Sequence, residues 1–281
     1  MKTLNLIFQI QLKITNKCSI GCSFCHESSS PNGKSFSLEN TKRMLEILPG
    51  GIEIAIGGGN IFDCFDDFLE LLNFCKLRNF YTRATINIQD LLDSEKLNRI
   101  TNCISGNRND RLLGAVGISI MKFSDIDLFI NKLMPSDLKS FRYHAGSDLV
   151  FHIILGIYPV EDFTPLLDYC ISNRYGILIL GLKQFGRASN LGKPSDIEQW
   201  KQLISKTIYK SRISDDKLIL GLDNLAIEQI DLHNMLTTQE WEDLFLGNEF
   251  SHSMYVDAVE ETFSATSRSP KEERVSWGDV D

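Results

Sequence analysis

Three cysteines lie within eight residues near the start of the chain, in the stretch CSIGCSFC. Cys18, Cys22 and Cys25 follow the spacing C-x3-C-x2-C, and His26 comes directly after them. Structural zinc sites usually take four ligands, often in two close pairs, and the sequence has no second close pair. His26 is a poor fourth ligand because adjacent residues seldom bind one ion. Three uncommitted thiols in one loop would be prone to oxidation.

An iron–sulfur cluster fits these thiols better than zinc does. Thiolates are soft ligands of the kind that such clusters take. A cubane of four irons held by three thiolates leaves one iron without a protein ligand, and that iron can bind a small molecule. The other four cysteines are scattered singly, and we expect them to be buried apolar side chains. They are Cys64, Cys75, Cys103 and Cys170.

The composition predicts a globular α/β protein. The chain has 281 residues, 43% of them hydrophobic, and a net charge of -8, which disfavours nucleic acid as a partner. No apolar run reaches the roughly 18 residues of a transmembrane helix, so we expect no membrane contact. The N-terminal apolar stretch is broken by polar residues and lacks a cleavage site, so a cytoplasmic location and no disulfide framework are expected.

Short apolar runs alternate with longer helical patterns along the chain. The predicted strands are 7–15, 52–56, 81–88, 113–121, 149–157 and 177–182, with a possible seventh at 218–222. The predicted helices are 38–48 capped by Ser37, 63–77 capped by Asp63, 91–104, 125–134, 160–172 and 196–209. This order is typical of a parallel sheet and predicts a partial (β/α)6 TIM-like barrel over residues 1–224.

Residues 225–281 are predicted to form a C-terminal extension. It contains a helical pattern at 233–245, a strand at 254–259 and a polar tail from 264 onward that we expect to lie loosely on the surface. In parallel barrels the chemistry lies at the carboxyl ends of the strands. The cysteine stretch directly follows the first strand and therefore belongs to that face.

The cysteine spacing after the first strand of a βα barrel resembles the radical S-adenosylmethionine superfamily, and Phe24 matches its preference for an aromatic residue before the third cysteine. The resemblance implies one 4Fe–4S cluster on Cys18, Cys22 and Cys25, with S-adenosylmethionine chelating the open iron. It implies reductive cleavage to a 5′-deoxyadenosyl radical that removes hydrogen from a substrate. A flavodoxin or ferredoxin is the electron donor that the resemblance implies.

The second predicted strand ends in Gly57-Gly58-Gly59-Asn60. Taken alone, this is an ordinary strand-end turn. One βα unit after the cysteines, it resembles the family's Gly-Gly-Glu-like turn, which contacts the methionine amino group, and glycine lets a backbone approach a ligand closely. Asn60 stands where the family has an acidic residue. Its amide can accept a hydrogen bond but carries no charge.

Other strand ends carry less specific candidates for the cofactor, each as compatible with a structural role. Asn87 and Ser119 end the third and fourth strands and could meet the ribose or the carboxylate. Gly156 and Ile157 end the fifth strand, where the family often packs backbone against adenine.

Two cations and two histidines complete the candidates. Lys183 and Arg187 follow the sixth strand and could hold a carboxylate of cofactor or substrate; solvated surface charges are the equal alternative. His26 could tune the cluster or bond a substrate. His152 lies inside an apolar strand and is predicted to be a core histidine.

The substrate is the least determined part of the prediction. Residues 253–259 resemble the SPASM-like hairpin after the barrel of peptide- and protein-modifying members, but no cysteine follows Cys170, so an auxiliary cluster is not expected. Only seventeen residues precede Cys18, so we expect a separate peptide-recognition protein. The leading hypothesis is a peptide or protein substrate. The alternatives are a small metabolite or nucleotide, or an electron-transfer or sensor protein that does not cleave S-adenosylmethionine.

Overall fold

The computed structural model describes residues 8–107, 110–120, 122, 124–125, 148–173, 175–213, 219–248 and 251–279. Within these residues one sheet contains ten strands, in the spatial order β10-β9-β8-β1-β2-β3-β4-β5-β6-β7. The strands are β1 (Gln9–Thr15), β2 (Glu53–Gly58), β3 (Tyr81–Asn87), β4 (Ala115–Ser119), β5 (Leu149–Ile154), β6 (Gly176–Leu180), β7 (Ile219–Leu222), β8 (Ser253–Asp257), β9 (Thr262–Ser264) and β10 (Val275–Ser276).

Seven described helices accompany the sheet, and most of them connect its parallel strands. They are α1 (Leu38–Glu46), α2 (Phe65–Leu77), α3 (Ser94–Ile104), α4 (Val160–Asn173), α5 (Ile197–Ile213), α6 (Asn224–Ile230) and α7 (Thr238–Leu244). Strands β1 to β7 are neighbours in chain order and pair in parallel. The predicted α/β fold with a partial parallel barrel is therefore confirmed. The predicted helix 125–134 lies almost entirely outside the described residues, and the division at residue 224 stays a prediction.

The two faces of the sheet differ in how deeply their side chains are buried. In β5, Leu149, Phe151 and Ile153 are buried, and the Phe151 ring packs edge-on against Tyr169 of α4. The alternate residues, such as His152, stay partly exposed on the opposite face. Because side chains alternate along a strand and register partners share a face, these alternate positions form one surface across the sheet. We call it the open face.

The start of α2 differs from the prediction. The prediction that Asp63 caps a helix beginning at residue 63 is wrong. A short 3-10 turn, Ile61–Cys64, comes first, and the Asn60 side chain accepts from the Phe62 amide at its start. Helix α2 then begins at Phe65. Helix α1 is capped by Ser37 as predicted, through the Asn40 amide.

The C-terminal residues fold onto the sheet rather than lying loosely. Strand β8 pairs in parallel with β1, and β9 and β10 continue the sheet in antiparallel pairs. The prediction that the polar tail lies loosely on the surface is therefore wrong. The predicted helix 233–245 is split into two elements, the 3-10 turn Leu232–Met235 and helix α7. Thr237 caps the N-terminus of α7 and forms a capping box with Glu240.

A buried charge cluster joins this extension to the first strand. Asp257 of β8 is fully buried, and its Oδ2 accepts from Lys13 Nζ at 2.8 Å and from Arg274 Nη1 at 3.1 Å. Its Oδ1 accepts from the Val259 and Glu260 amides, both at 3.2 Å. A buried carboxylate persists only when its lone pairs are satisfied in this way. The tail residue Arg274 is thus an internal part of the fold.

Among the described residues, no helix combines the length and the apolar character needed to cross a bilayer.

Replacing Asp257 by Asn should destabilise the protein by about 3 kcal/mol or more, because Arg274 and Lys13 then share one neutral amide in a buried place. Chemical denaturation followed by circular dichroism measures the free energy of unfolding. Glu39→Gln is the control: it removes an exposed ion pair with Arg43 on α1 and should cost less than about 0.5 kcal/mol. Equal small losses for both variants would contradict the role of Asp257.

Candidate functional site

The cysteines lie in a loop between β1 and α1 that we call the cysteine loop (residues 16–30). The base of the loop is closed by backbone pairing: the Cys18 amide donates to Ser30 O at 2.9 Å, and the Ser30 amide donates to Asn16 O at 3.0 Å. A tight turn brings the Cys25 amide to Cys22 O at 3.3 Å. The loop therefore leaves β1 at its carboxyl end and returns on itself, with Cys18 at its base and Cys22 and Cys25 in the turn.

The thiols are shielded and near one another. Cys18 is buried, and Cys22 and Cys25 are partly buried. Burial, and to a smaller extent the neighbouring Cys18 and Cys25, raise the pKa of Cys22 to about 11. Among the described residues, no group of three His, Cys, Asp or Glu side chains is arranged to hold a metal ion.

The surroundings of the loop fit a missing polar group. Asn16 Oδ1, Ser29 Oγ and Tyr158 OH are buried and have no hydrogen-bond partner among the described residues. Such orphaned atoms are rare in native interiors. Three thiols with unsatisfied polar atoms around them suit a cluster and a polar ligand better than an apolar core. Cys18, Cys22 and Cys25 are the residues that would hold the cluster.

The glycine turn after β2 lies directly against the start of the cysteine loop. The Gly59 amide donates to Thr15 O at 2.6 Å, and the Asn60 amide donates to Lys17 O at 2.8 Å. A Cβ on Gly58 would come within 2.5 Å of Thr15 O, and one on Gly59 within 2.3 Å of Lys17 O. Gly58 also has a φ of +125°, which side chains disfavour. These two glycines therefore serve the contact between two segments of this chain.

Gly57 differs from the other two glycines. It pairs with Lys13 of β1 on the open face, and a Cβ built on it would meet nothing within 4 Å. It is the glycine of the turn that leaves space for a ligand. Its expected role in cofactor binding stays a prediction.

Asn60 is engaged with neighbours of its own. Its Nδ2 donates to Asp90 Oδ1 at 3.1 Å, and Asp90 Oδ1 also accepts a hydrogen bond from Lys96 Nζ at 2.5 Å. Its Oδ1 already accepts from the Phe62 amide. The side chain is 7% exposed and turned into the protein. Asn60 therefore positions the turn. Its Oδ1 already accepts one hydrogen bond, so only the second lone pair of that oxygen could accept from a cofactor amine.

Two buried carboxylates link the loops after β2, β3 and β4, and sequence reasoning missed both. Asp90 joins Asn60 across the first two of these loops. Asp125 is fully buried and accepts from Gln89 Nε2 at 2.8 Å and from the Lys122 amide at 3.0 Å. Their positions just after predicted strands were the only signal in the sequence.

Phe24 faces Tyr158 from the loop after β5. The two rings meet edge to face with centroids 6.4 Å apart. Burial raises the pKa of the Tyr158 hydroxyl, which stays protonated at neutral pH, and the Cys22 thiol is one of the groups that raise it further. Phe24 thus helps to enclose the cysteine loop and brings a hydroxyl donor to its side.

Three polar residues lie in register across β3, β4 and β5 on the open face. Asn87 pairs with Ser119, and Ser119 pairs with His152. His152 was predicted to be a core histidine, but it is partly exposed in this row, and a Cβ on Gly117 would come within 2.3 Å of its ring. Burial lowers the pKa of His152 to about 4, so the imidazole is neutral at pH 7. Asn87 and Ser119, predicted from sequence, thus have a neighbour that sequence missed.

The end of β5 has its own packing partner. Gly156 has a φ of +73°, and a Cβ there would lie 2.4 Å from Cβ of Pro194. Ser195 donates to Gly156 O through its amide at 3.3 Å and its hydroxyl at 2.9 Å. Ile157, the next residue, is partly buried. Adenine contact at these two residues stays a prediction.

The two predicted cations after β6 have separate partners. Lys183 Nζ donates to Ser267 Oγ in the tail at 2.7 Å. Arg187 reaches the cysteine loop instead, with Nε 2.9 Å from Cys22 O and Nη1 2.7 Å from Ser29 O. Neither is a solvated surface charge.

Glu27 connects the cysteine loop to the charge cluster of the extension, and sequence reasoning missed it. Lys13 Nζ lies 2.7 Å from its Oε2, and Tyr255 OH donates to its Oε1 at 3.2 Å. Burial raises the pKa of Glu27, but the Lys13 ammonium and its hydrogen bond, together with His26 and Arg274, outweigh burial, and the net pKa is lowered. His26 lies 3.5 Å from the same carboxylate, and burial, with Lys183 nearby, lowers its pKa to about 3.

Comparison with known proteins gives matches among solved structures alone. No family model matches the chain, and no curated protein matches it. SuiB of Streptococcus suis bound to S-adenosylmethionine aligns with a TM-score of 0.70 at 14% identity, over 99% of this chain and 64% of that one. SuiB bound to its precursor peptide SuiA gives 0.65 at 15%, over 93% and 60%.

A third structure, anSMEcpe with bound AdoMet, aligns with a TM-score of 0.62 at 11% identity, over 96% of this chain and 77% of that one. The chain thus spans less than two thirds of the length of the SuiB chains. These likenesses confirm the predicted resemblance at the level of the fold: the chain shares the fold of SuiB and anSMEcpe.

Proposed function

We propose that this protein is a radical S-adenosylmethionine enzyme that acts on a peptide or protein. Cys18, Cys22 and Cys25 hold one 4Fe–4S cluster, and S-adenosylmethionine binds the iron that lacks a protein ligand. When bound, these groups supply a 5′-deoxyadenosyl radical that removes hydrogen from the substrate. The proposal is supported by the fold shared with two S-adenosylmethionine-bound proteins.

One observation carries the proposal. The cysteine loop at the carboxyl end of β1 lies against the glycine turn at the carboxyl end of β2, and Gly57 leaves that junction open toward a ligand. In parallel sheets ligands bind at the carboxyl ends of strands. A loop that carries three cysteines and an open backbone edge therefore occur together at the place where a ligand is expected.

The surrounding residues bind and shield the reactants in this proposal. Asn87, Ser119 and His152 offer uncharged hydrogen-bonding groups in one row on the open face. Phe24 and Tyr158 lie edge to face beside the cysteine loop, and in this proposal they shield that side of the loop from water. Excluding water protects a reactive intermediate from side reactions. The remaining predicted cofactor contacts, Gly156, Ile157 and Lys183, keep their place in the proposal as candidates.

Two observations favour a peptide or protein substrate over a small metabolite. SuiB has been solved with its precursor peptide SuiA, and this chain shares the SuiB fold. The extension pairs with β1, with Tyr255 beside Gln11 and Asp257 beside Lys13, and through Glu27 it contacts the cysteine loop, so in this proposal it helps to shape the side of the site that a peptide would approach. A separate recognition protein and a flavodoxin or ferredoxin donor belong to the same proposal.

The reaction is tested with anaerobically reconstituted protein, dithionite and S-adenosylmethionine, with and without candidate peptides. We expect about four irons per chain and release of 5′-deoxyadenosine, measured by chromatography and mass spectrometry. Stimulation by a peptide supports the substrate class, whereas stimulation only by a nucleotide or metabolite favours the alternative class. Cluster binding with no 5′-deoxyadenosine under any condition supports an electron-transfer or sensor protein. Purified protein with one zinc and no sulfide contradicts the proposal.

Replacing Cys22 by Ala should abolish both cluster binding and 5′-deoxyadenosine release, because two thiolates cannot hold the cluster. Iron and sulfide analysis and the visible spectrum measure the loss. Cys103→Ser is the matched control, since its hydroxyl keeps the bond that Cys103 Sγ makes to Arg99 O on α3. The control should retain the cluster. A Cys22→Ala protein that keeps four irons would contradict the ligand assignment.

Gly57→Ala and Gly59→Ala should fail at different steps. Alanine at 57 meets open space, so the cluster should form while affinity for S-adenosylmethionine falls about tenfold or more, because the methyl group enters the ligand space. Alanine at 59 meets Lys17 O at 2.3 Å, so iron incorporation itself should drop. Equilibrium dialysis and iron analysis separate the two effects. Unchanged S-adenosylmethionine binding by Gly57→Ala would remove Gly57 from the cofactor site.

A further inference from the structure

Arg187 reaches from the loop after β6 to the cysteine loop, 165 residues away in sequence. We propose that Arg187 is a positioning residue for the cluster: it fixes the backbone course of the cysteine loop before iron binds and places a permanent positive charge beside the loop. This inference rests on the proposed cluster site. It gives Arg187 a different role from the carboxylate contact that the sequence predicted.

The contacts of Arg187 span the cysteine loop. Nε donates to Cys22 O at 2.9 Å, Nη1 donates to Ser29 O at 2.7 Å, and the backbone amide donates to Cys25 O at 3.0 Å. Two of these carbonyls belong to cysteines that would bind iron. A loop that leaves the sheet cannot satisfy all its carbonyls by itself, so an outside donor fixes its course.

The approach of this segment depends on Gly186. Its φ is +56°, and a Cβ there would lie 2.5 Å from His26 O and 2.7 Å from Ser28 Oγ. Glycine therefore lets the backbone come close enough for the Arg187 amide to reach Cys25 O. The short 3-10 turn Gly186–Asn190 then holds the arginine in place, with Ala188 fully buried beneath it.

The geometry requires arginine rather than another cation. The planar guanidinium presents several donors in a fixed arrangement, so it can reach two carbonyls at once, whereas a lysine ammonium is a flexible point charge. With Nε and Nη1 both engaged by the loop, a bidentate grip on a carboxylate through these two atoms is not available. Arg187 is therefore committed to the cysteine loop.

The charge has a consequence for the redox behaviour of the cluster. Net charge and hydrogen bonding around a cluster set its reduction potential, and groups beyond the ligands orient them. A permanent cation 2.9 Å from the Cys22 carbonyl favours the added electron. It therefore raises the potential relative to a neutral residue at the same position.

Arg187→Met and Arg187→Lys separate the two effects. After anaerobic reconstitution with ferrous iron and sulfide, we expect both variants to lose iron to a ferrous chelator about tenfold faster than the wild type, because neither makes the two carbonyl bonds. In redox titrations followed by electron paramagnetic resonance, Met should lower the reduction potential and Lys should keep it nearer the wild-type value. Lys193→Met removes an exposed cation from the same loop and should change neither quantity.

The apo protein gives a second measurement that needs no cluster. Trypsin can cut after Lys17 and Lys34, which are exposed on either side of the cysteines. Cleavage at these sites should be about tenfold faster in apo Arg187→Met than in the apo wild type, while the melting temperature by circular dichroism changes little. Lys193→Met should be cut at the wild-type rate.

Wild-type rates of iron loss and of trypsin cleavage in both Arg187 variants would overturn the inference. A wild-type protein that takes up no iron and sulfide would instead overturn the proposed function, and the trypsin comparison would still test the contact itself.

Discussion

The close contact between two strand-end backbones is the constraint on which the site depends. Gly58 and Gly59 bring the turn after β2 onto Thr15 and Lys17, where carbonyl oxygens lie closer than any side chain would permit. Two hydrogen bonds, donated by the Gly59 and Asn60 amides, then hold the start of the cysteine loop against the turn after β2. The position of the first cysteine is set by this contact, because Cys18 follows Lys17 directly.

The cysteine loop is held from three sides, and each side comes from a distant part of the chain. The glycine turn fixes its start, Arg187 fixes its middle, and Glu27 ties its end to Lys13 and Tyr255. The C-terminal extension therefore helps to hold the cysteine loop in place. A loop held in this way loses little conformational entropy when a ligand binds, which is the physical meaning of preorganisation.

The parts that sequence predicted are those with a local signature. Alternating apolar runs identified β1 to β7, and cysteine spacing with a glycine turn identified the loop and its neighbour. The roles of Arg187, Glu27 and Asp257 were not predictable, because each depends on a partner far away in sequence, up to 244 residues for Lys13 and Asp257. His152 was misjudged for a related reason: an apolar strand does not show which face is covered until its neighbours are placed.

The open face is divided by charge, and this division limits where a ligand can find partners. Toward β1 and β8, Lys13 and Arg274 both donate to the buried Asp257 carboxylate, and buried ion pairs are costly to break. At the carboxyl ends of β3, β4 and β5, the polar groups Asn87, Ser119 and His152 are uncharged at pH 7. Within the described residues, the ring of His152 and the hydroxyl of Ser119 make no hydrogen bond with the protein.

Polar groups that the protein leaves unbonded are the ones with capacity for a ligand. In the proposed function, the neutral side of the open face is therefore the side that can offer hydrogen bonds to cofactor and substrate, whereas the charged side holds the extension against the cysteine loop. A neutral His152 suits this division, since its low pKa keeps an unpaired charge off this part of the open face at pH 7. The same histidine requires Gly117 beneath its ring, so the neutral surface is set by the backbone of β4 as much as by the side chains that line it.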